Sequence, residues 1–479
     1  MMLSKSSYML GLQCPLYLWA KFNKPSLIPG ADASLQHRFD EGHIVGGLAK
    51  KYFGGGIDIP IDEFKLNIEK TQELVKGKQV LFEPGFFVND LFSRIDVLKP
   101  VEGGWDLIEV KSSTKIKPEH YQDVSFQRHV CSLAGIKIIK CHLMHINRDF
   151  VKDGEIDFKK FFRLVDITEE VDEAAEGIED RIKAMFNVIS GSKPSICVGG
   201  HCSSPYQCPI EECWKGLPPL NVFDLYRGGR KCEMLFTSGV AALKDIPLDF
   251  KLTVNQKIQA KCARTGKPHV DHVKLIKFLK QIKEPVSYLD FETFSFAVPV
   301  YEGTKPYQQI PFQFSLHVGS EHHSFLAQGS IDPRPRFIEE LKKVLPSEGS
   351  VLVYSQTFEQ GRLEECSELM PVYKEWVSSV VLRMVDLLDV FRGFIYYHPN
   401  QKGSASIKFV LPAILGRDDY KKLEINNGGA ASLAYIDMYF AKGMSDKDIT
   451  KNRTNLEKYC ELDTKAMVDV LEELRGLIN

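Results

Sequence analysis

SYLDFETF, residues 287–294, reads as a buried strand, with Tyr288, Leu289 and Phe291 apolar or aromatic, yet Asp290 and Glu292 interrupt it two residues apart. Alternate side chains of a strand share a face, so the two carboxylates project together. Like charges set side by side repel unless something positive lies between them. The sequence that follows alternates strand and helix patterns: FQFSLHV, RPRFIEELKKVL, SVLVYS and TFEQGRLEECSELM. The chain ends on NRTNLEKYCELDTKAMVDVLEELRGL, a long amphipathic helix on which Tyr459 and Asp463 lie one turn apart and share a face.

Upstream, residues 1–215 also mix helix and strand. HRFDEGHIVGGLAKKYF is helical, and VLFEPGFFV, LFSRIDVLKP and WDLIEVKSS are strands. The stretch EHYQDVSFQRHVCSLAG is a helix, IKIIKCHLMHIN a strand and VDEAAEGIEDRIKAMFNVI one amphipathic helix, before a cysteine-dense loop at 197–213. Residues 216–284 read as a polar helical connector, in which LFTSGVAALKDIP faintly resembles a helix–hairpin–helix turn and HVKLIKFLKQIK carries a lysine stripe. The alternation predicts α/β layered sheets in both large segments, 1–215 and 285–479.

Two constellations stand out in the first segment. Asp96, in RID, and Glu109 with Lys111, in IEVK, fall on adjacent predicted strands, with Glu109 and Lys111 on one face. Two carboxylates and a backbone carbonyl make a partial cage for Mg²⁺ or Mn²⁺, and a lysine beside it orients water or stabilises developing charge. This resembles the PD-(D/E)XK nuclease signature in its RecB-like branch, with a restriction-endonuclease-like fold. That resemblance gives Gln127, in YQDVSFQRH, the place of the branch's downstream glutamine. Where the branch usually has a metal-binding histidine in its first helix, this chain has Gly46, and Glu41 is the acid near enough to substitute.

The second constellation is cysteine: Cys14 in LQCPLYLW, then Cys197, Cys202, Cys208 and Cys213 in SICVGGHCSSPYQCPIEECW. One cysteine before a nuclease core and three after it resembles the iron–sulfur subgroup of RecB-like nucleases, seen in AddB-type and CRISPR-associated exonucleases. The resemblance implies a 4Fe–4S cluster on Cys14, Cys202, Cys208 and Cys213, with Cys197 left out. A Cys₄ zinc site, or Cys₃His through His201, is chemically as good.

The acids of the last segment resemble the motifs of DnaQ-like 3′–5′ exonucleases, which have an RNase H-like fold. The resemblance makes Asp290, Glu292 and Asp463 metal ligands and Tyr459 the residue that orients the attacking water. Glu359 stands where that family has an aspartate, one methylene longer. The arrangement of the nuclease segment, NVFDLYRGG, LDFETF and YYHPNQKGSASIKFVLPAILG resembles a bacterial family of unknown function over nearly the whole chain. GSASIKFVLP looks like a signature of that family but has no evident chemistry.

Bulk properties bound the rest. A net charge of −2 leaves no global basic footprint, so a nucleic-acid partner is held by local patches. No apolar run reaches the roughly 20 residues of a membrane helix. YMLGLQCPLYLWAKF lacks a small-residue cleavage site and reads as the first helix of the fold. Eleven cysteines without an export signal point to a reducing, cytoplasmic compartment. The resulting expectation is a Mg²⁺- or Mn²⁺-dependent nuclease with two sites, an exonuclease sooner than an endonuclease, acting on single-stranded DNA or DNA ends. Two alternatives stay open: a nucleic-acid-binding or regulatory protein with one or both sites inactive, and an RNA-processing 3′–5′ exonuclease.

Overall fold

The computed structural model describes residues 1–441 and 443–478, and the chain divides into two units: Met1–Gly216 with Phe296–Gln308, and Leu217–Ser295 with Gln309–Asn479. Both are mixed α/β. Among the described residues no helix is long and apolar enough to cross a membrane.

The first unit is built on a six-stranded sheet in the order Ile57–Asp58, Leu81–Phe82, Val97–Val101, Gly104–Lys111, Ile138–Ile146, Phe162–Asp166. Gly104–Lys111 runs antiparallel to Val97–Val101 and parallel to Ile138–Ile146. A parallel neighbour needs a crossover, and the helix Pro118–Leu133 supplies it. Alternation then decides which side chains meet. Trp105 and Leu107 pack with Val124, Phe126 and Val130 of that helix, whereas Ile108 packs with Val45 and Ala49 of the helix Ala33–Tyr52. Glu109 and Lys111 are in phase with Trp105 and so face the crossover helix.

Three local readings of the sequence differ from the structure here. LFSRIDVLKP is two strands, since Leu91–Arg94 pairs within a separate three-stranded sheet and Val97–Val101 within the larger one. Asp96 therefore sits at the switch between sheets rather than on a strand. VDEAAEGIEDRIKAMFNVI breaks at Gly177, whose φ of +68° ends one helix before Ile178–Ser190 begins. The first helix is likewise two, Lys5–Gln13 and Pro15–Asn23. Pro15 suits the opening position of the second because that position has no intrahelical use for an N–H.

The second unit centres on a five-stranded sheet in the order Glu321–Leu326, Ile310–Val318, Ser287–Phe294, Val351–Val353, Met384–Asp386. The middle strand is antiparallel to Ile310–Val318 and parallel to Val351–Val353. Leu289 and Phe291 point to one face, where Phe337, Ile338, Leu341 and Leu363 form the core. Asp290 and Glu292 take the opposite face, covered by the long helix Asp446–Gly476. Gln313 donates to Leu456 O at 3.0 Å and Ser315 Oγ lies 2.7 Å from Thr464 Oγ1, which fixes that helix across the strand pair.

The stretch 216–284 is not a free-standing connector. Residues 217–295 group with the second unit because His269–Val270 pairs with Tyr396–Tyr397 and Cys262 packs on Phe394 and Tyr397. Nor does LFTSGVAALKDIP form a helix–hairpin–helix: past Gly239 comes a single turn at Leu243–Asp245, and the next α-helix starts only at Val254.

Gly349 tests this packing. Its φ is +78°, and a Cβ there would stand 1.9 Å from Pro285 O. The next residue, Ser350, accepts the hydrogen bond from Ser287 N at 2.8 Å that starts the Asp290 strand. Gly349→Ala is expected to cost about 2 kcal/mol or more in urea unfolding. Gly361→Ala, in a helix with open space around it, is expected to hold or raise stability.

Candidate metal and active sites

The acids of the second unit converge. Asp290 and Glu292 come from the central strand and Asp463 from the final helix, and one carboxylate oxygen of each lies within 4.8 Å of the other two. Burial first, and then the neighbouring carboxylates, push Asp290 and Glu292 well above the ordinary range. Asp463 rises by burial to about 6, restrained by the hydrogen bond from Tyr420 and by the charge of Lys408. Tyr420 donates to Asp463 Oδ1 at 2.6 Å. Lys408 donates to Tyr459 Oη at 2.9 Å and to Asn426 O at 2.8 Å, and burial pulls its own pKa down despite the acids beside it. Three desolvated carboxylates facing one lysine leave a surplus of negative charge, and an all-oxygen donor set of this kind fits Mg²⁺ or Mn²⁺.

Glu359 lies beside this trio without joining its close set. It is buried in the first turn of the helix Gln356–Leu369, and its Oε2 has no hydrogen-bond partner. Asp386, the other acid of the region, accepts N–H groups from Ser355, Gln356 and Leu388 at 3.0–3.1 Å and so serves the turn that launches this helix.

A cavity of about 570 Å³ opens over the trio. Its lining adds Arg227, Arg392 and Lys408, which are cationic, and Tyr226 and Tyr354, which are aromatic. The Arg227 guanidinium lies 5.3 Å from the Tyr226 ring centre.

The first unit gathers its own polar cluster. Lys111 Nζ reaches Glu109 Oε1 at 2.7 Å and Asp123 Oδ2 at 2.6 Å, and Gln127 Nε2 reaches Glu109 Oε2 at 2.7 Å and Asp123 Oδ1 at 3.1 Å. Lys5, from the first helix, donates to Glu109 Oε1 at 2.8 Å. Burial alone would raise Glu109, but Lys111 and Lys5 overcome it and hold the carboxyl far below its usual range. Asp96 accepts the Val110 N–H at 2.6 Å, and burial with the Glu109 charge pushes it up to about 7. Both Glu109 oxygens are thus occupied by the protein's own donors. Glu41, the acid near the Gly46 position, is buried and accepts from Ala297 N.

The four cysteines also assemble. Each pair among Cys14, Cys202, Cys208 and Cys213 is close enough for one thiol to raise another, and Cys197 is exposed. Gln13 pins the loop to the helix end, donating to His201 O at 2.9 Å and Tyr206 O at 2.6 Å. Among the described residues, no three of these thiols lie within 4.8 Å of one another.

Lys5, Asp123, Lys408 and Tyr420 are the participants that motif reading does not assign. Lys5 is 104 positions from its partner and belongs to no local pattern. Lys408 lies inside GSASIKFVLP, so that stretch marked the site without stating its chemistry.

Comparison with known proteins bears on this same region. A family model described as "Domain of unknown function (DUF2779)" matches residues 287–406, from the Asp290 strand to Ser406. The uncharacterized protein MG366 homolog of Mycoplasma pneumoniae is 29% identical over 214 residues, 40% of this chain and 32% of that protein. MG366 of Mycoplasma genitalium is 28% identical over 224 residues, and UU173 of Ureaplasma parvum 28% over 229. The matched stretch spans about a third of the length of each relative.

Glu359 gives a pH test. Burial, with Asp386 adding to it, lifts its pKa from 4.5 to about 8. The folded state therefore holds this proton more tightly than the unfolded chain, so the stabilisation is complete below about 4.5 and is lost as pH rises through about 8. In EDTA, the Tm is expected to fall between about pH 5 and about pH 8.5, and Glu359→Gln to flatten that fall, read by thermal denaturation across the range.

Proposed function

We propose that this protein is a metal-dependent nuclease that hydrolyses phosphodiester bonds in nucleic acid, DNA foremost, chiefly at the carboxylate trio of its C-terminal unit. The observation that carries the reading is the convergence of Asp290, Glu292 and Asp463 from a strand and a helix far apart in sequence. The strand order supports an RNase H-like assignment: the Asp290 strand is central, its antiparallel partner leads to an edge strand, and two parallel strands lie on the other side. In the N-terminal unit the hairpin, crossover helix and gathered Asp96, Glu109, Lys111 and Gln127 support a PD-(D/E)XK assignment.

Asp290, Glu292 and Asp463 would hold Mg²⁺ or Mn²⁺, which would supply positive charge to the phosphate under attack by water. Because Lys408 donates to Tyr459 Oη, the phenol keeps its own O–H to donate; that proton serves Asp463 and is placed to turn toward the attacking water. Arg227 and Arg392 offer charge to the phosphates, and Tyr226 and Tyr354 offer faces on which unpaired bases stack. That combination favours a single strand or a frayed end over a closed duplex.

The occupied oxygens of Glu109 favour a second reading for the N-terminal unit alone, as a nucleic-acid-binding domain whose metal site is closed by Lys5. The two readings separate in one experiment on labelled single-stranded DNA and RNA with Mn²⁺. Asp290→Asn is expected to lower cleavage on the order of 10²-fold or more. Lys111→Ala lowers it further only if the N-terminal site turns over. Undiminished digestion by the double variant would end the proposal.

The four thiols are assigned to a 4Fe–4S cluster in preference to zinc. Four thiolates suit either centre, and the preference comes from the arrangement of one cysteine before and three after the nuclease segment, which resembles the iron–sulfur subgroup. Anaerobically purified protein is expected to be brown, absorbing near ~400 nm, and to lose the colour in Cys208→Ala. Colourless wild-type protein carrying one zinc would overturn the cluster.

A further inference from the structure

In the sheet that carries Asp290, the antiparallel partner and the edge strand place His317 directly opposite His322. Their rings stand 4.5 Å apart, 29° from parallel. Period-two alternation puts Gln313, Ser315 and His317 on one face, toward the final helix, which contributes Glu461 and, one turn on, Thr464. One nitrogen of each ring and one carboxylate oxygen of Glu461 lie within 4.8 Å of one another.

The surrounding hydrogen bonds decide which nitrogens are free. Thr464 Oγ1 lies 3.0 Å from Glu461 O, 2.7 Å from Ser315 Oγ and 2.8 Å from His317 Nδ1. Ser315 Oγ lies 2.9 Å from His322 Nε2. A backbone carbonyl only accepts, so the single Thr464 proton goes to Glu461 O. Ser315 then donates to Thr464, and both rings must donate: His322 through Nε2–H to Ser315, and His317 through Nδ1–H to Thr464. With both rings neutral, the lone pairs left over are on His317 Nε2 and His322 Nδ1. The latter stands 3.9 Å from Glu461 Oε1, an acceptor facing an acceptor. Imidazoles whose far N–H is tied down by a fixed partner are the arrangement that orients metal ligands.

We propose that His317, His322 and Glu461 form a site for a transition-metal dication of the zinc class, with a fourth position left to water. Two imidazoles select such an ion over Mg²⁺ or Ca²⁺, which prefer oxygen donors. His322 and Glu461 are surface side chains, 27% and 51% exposed, so small rotations bring the three atoms to the tetrahedral spacing of about 3.4 Å. Occupancy ties the edge hairpin to the final helix. The inference uses none of the nuclease residues and stands or falls apart from that function.

The test uses Ni²⁺ as probe on the full chain, with saturating Mg²⁺ present to fill oxygen-rich sites. Calorimetry is expected to show wild-type protein binding one more Ni²⁺ ion than Glu461→Gln or His322→Ala, or binding it at least about tenfold more tightly. Ni²⁺ is expected to raise the Tm of wild type more than that of either variant. Glu461→Gln alters an exposed side chain and is expected to fold, so the test does not depend on His317→Ala, whose ring is half-buried. Identical stoichiometry, affinity and Tm shift in wild type and both variants would overturn the site.

Discussion

Asp290, Glu292 and Asp463 are buried against one another between a strand and a helix, and Lys408 faces them. Ionised carboxylates taken from water together repel, and they persist only with protons or cations to neutralise them. The neighbours follow from that constraint. Tyr420 donates to Asp463, Lys408 leans on Tyr459 rather than closing a salt bridge, and Cys460 packs its weak donor against Asp290 at 3.8 Å. A protein that needed only stability would have no reason to keep this charge surplus, since apolar side chains of similar volume fill such a space at less cost.

The N-terminal cluster meets the same problem differently. Glu109 and Asp123 face Lys111 and Lys5, two charges against two, and Asp96, pushed up to about 7 by burial and the Glu109 charge, is the acid left over. Lys5 reaches in from the first helix, the one that Cys14 ends. Lys5, which reaches Glu109, and Gln13, which pins the cysteine loop, are therefore the two ends of one helix. Ordering of the cysteine loop through Gln13 and seating of Lys5 at Glu109 act on the same nine-residue helix.

Sequence reading recovered what depends on short-range pattern. The period-two placement of Asp290 with Glu292, the E-x-K pair and the i, i+4 pair Tyr459 and Asp463 were all legible, because strand and helix periodicity fix those relations. Partners set by tertiary approach were not. Nothing near Lys5 announces Glu109, and nothing near Tyr420 announces Asp463. Asp96 was placed on a strand because LFSRIDVLKP keeps one continuous apolar pattern, and only pairing to two different sheets reveals the switch. The connector looked separate because its helices are short and polar, while the pairing that holds it, His269–Val270 with Tyr396–Tyr397, is a long-range strand contact.

Long-range contact also explains the two stretches that had pattern but no chemistry. Tyr226 and Arg227, in NVFDLYRGG, and Ser406 and Lys408, in GSASIKFVLP, line the same cavity though about 180 positions separate them. Gln259 holds the first of these loops, accepting from Tyr226 N and donating to Asp224 O, each at 2.7 Å. Gly403 passes over this junction at a φ of +75°, where a Cβ would stand 2.4 Å from Asp224 O. Only glycine permits that approach without displacing the loop. Tyr354 completes the wall by donating to Ala405 O at 2.6 Å. The glycine before the serines is thus a packing requirement, and the lysine after them lies in the first turn of the helix Ile407–Leu415 that this loop leads into. The cavity wall depends on residues 217–260 as much as on the sheet, so the stretch that reads as a linker is part of the site.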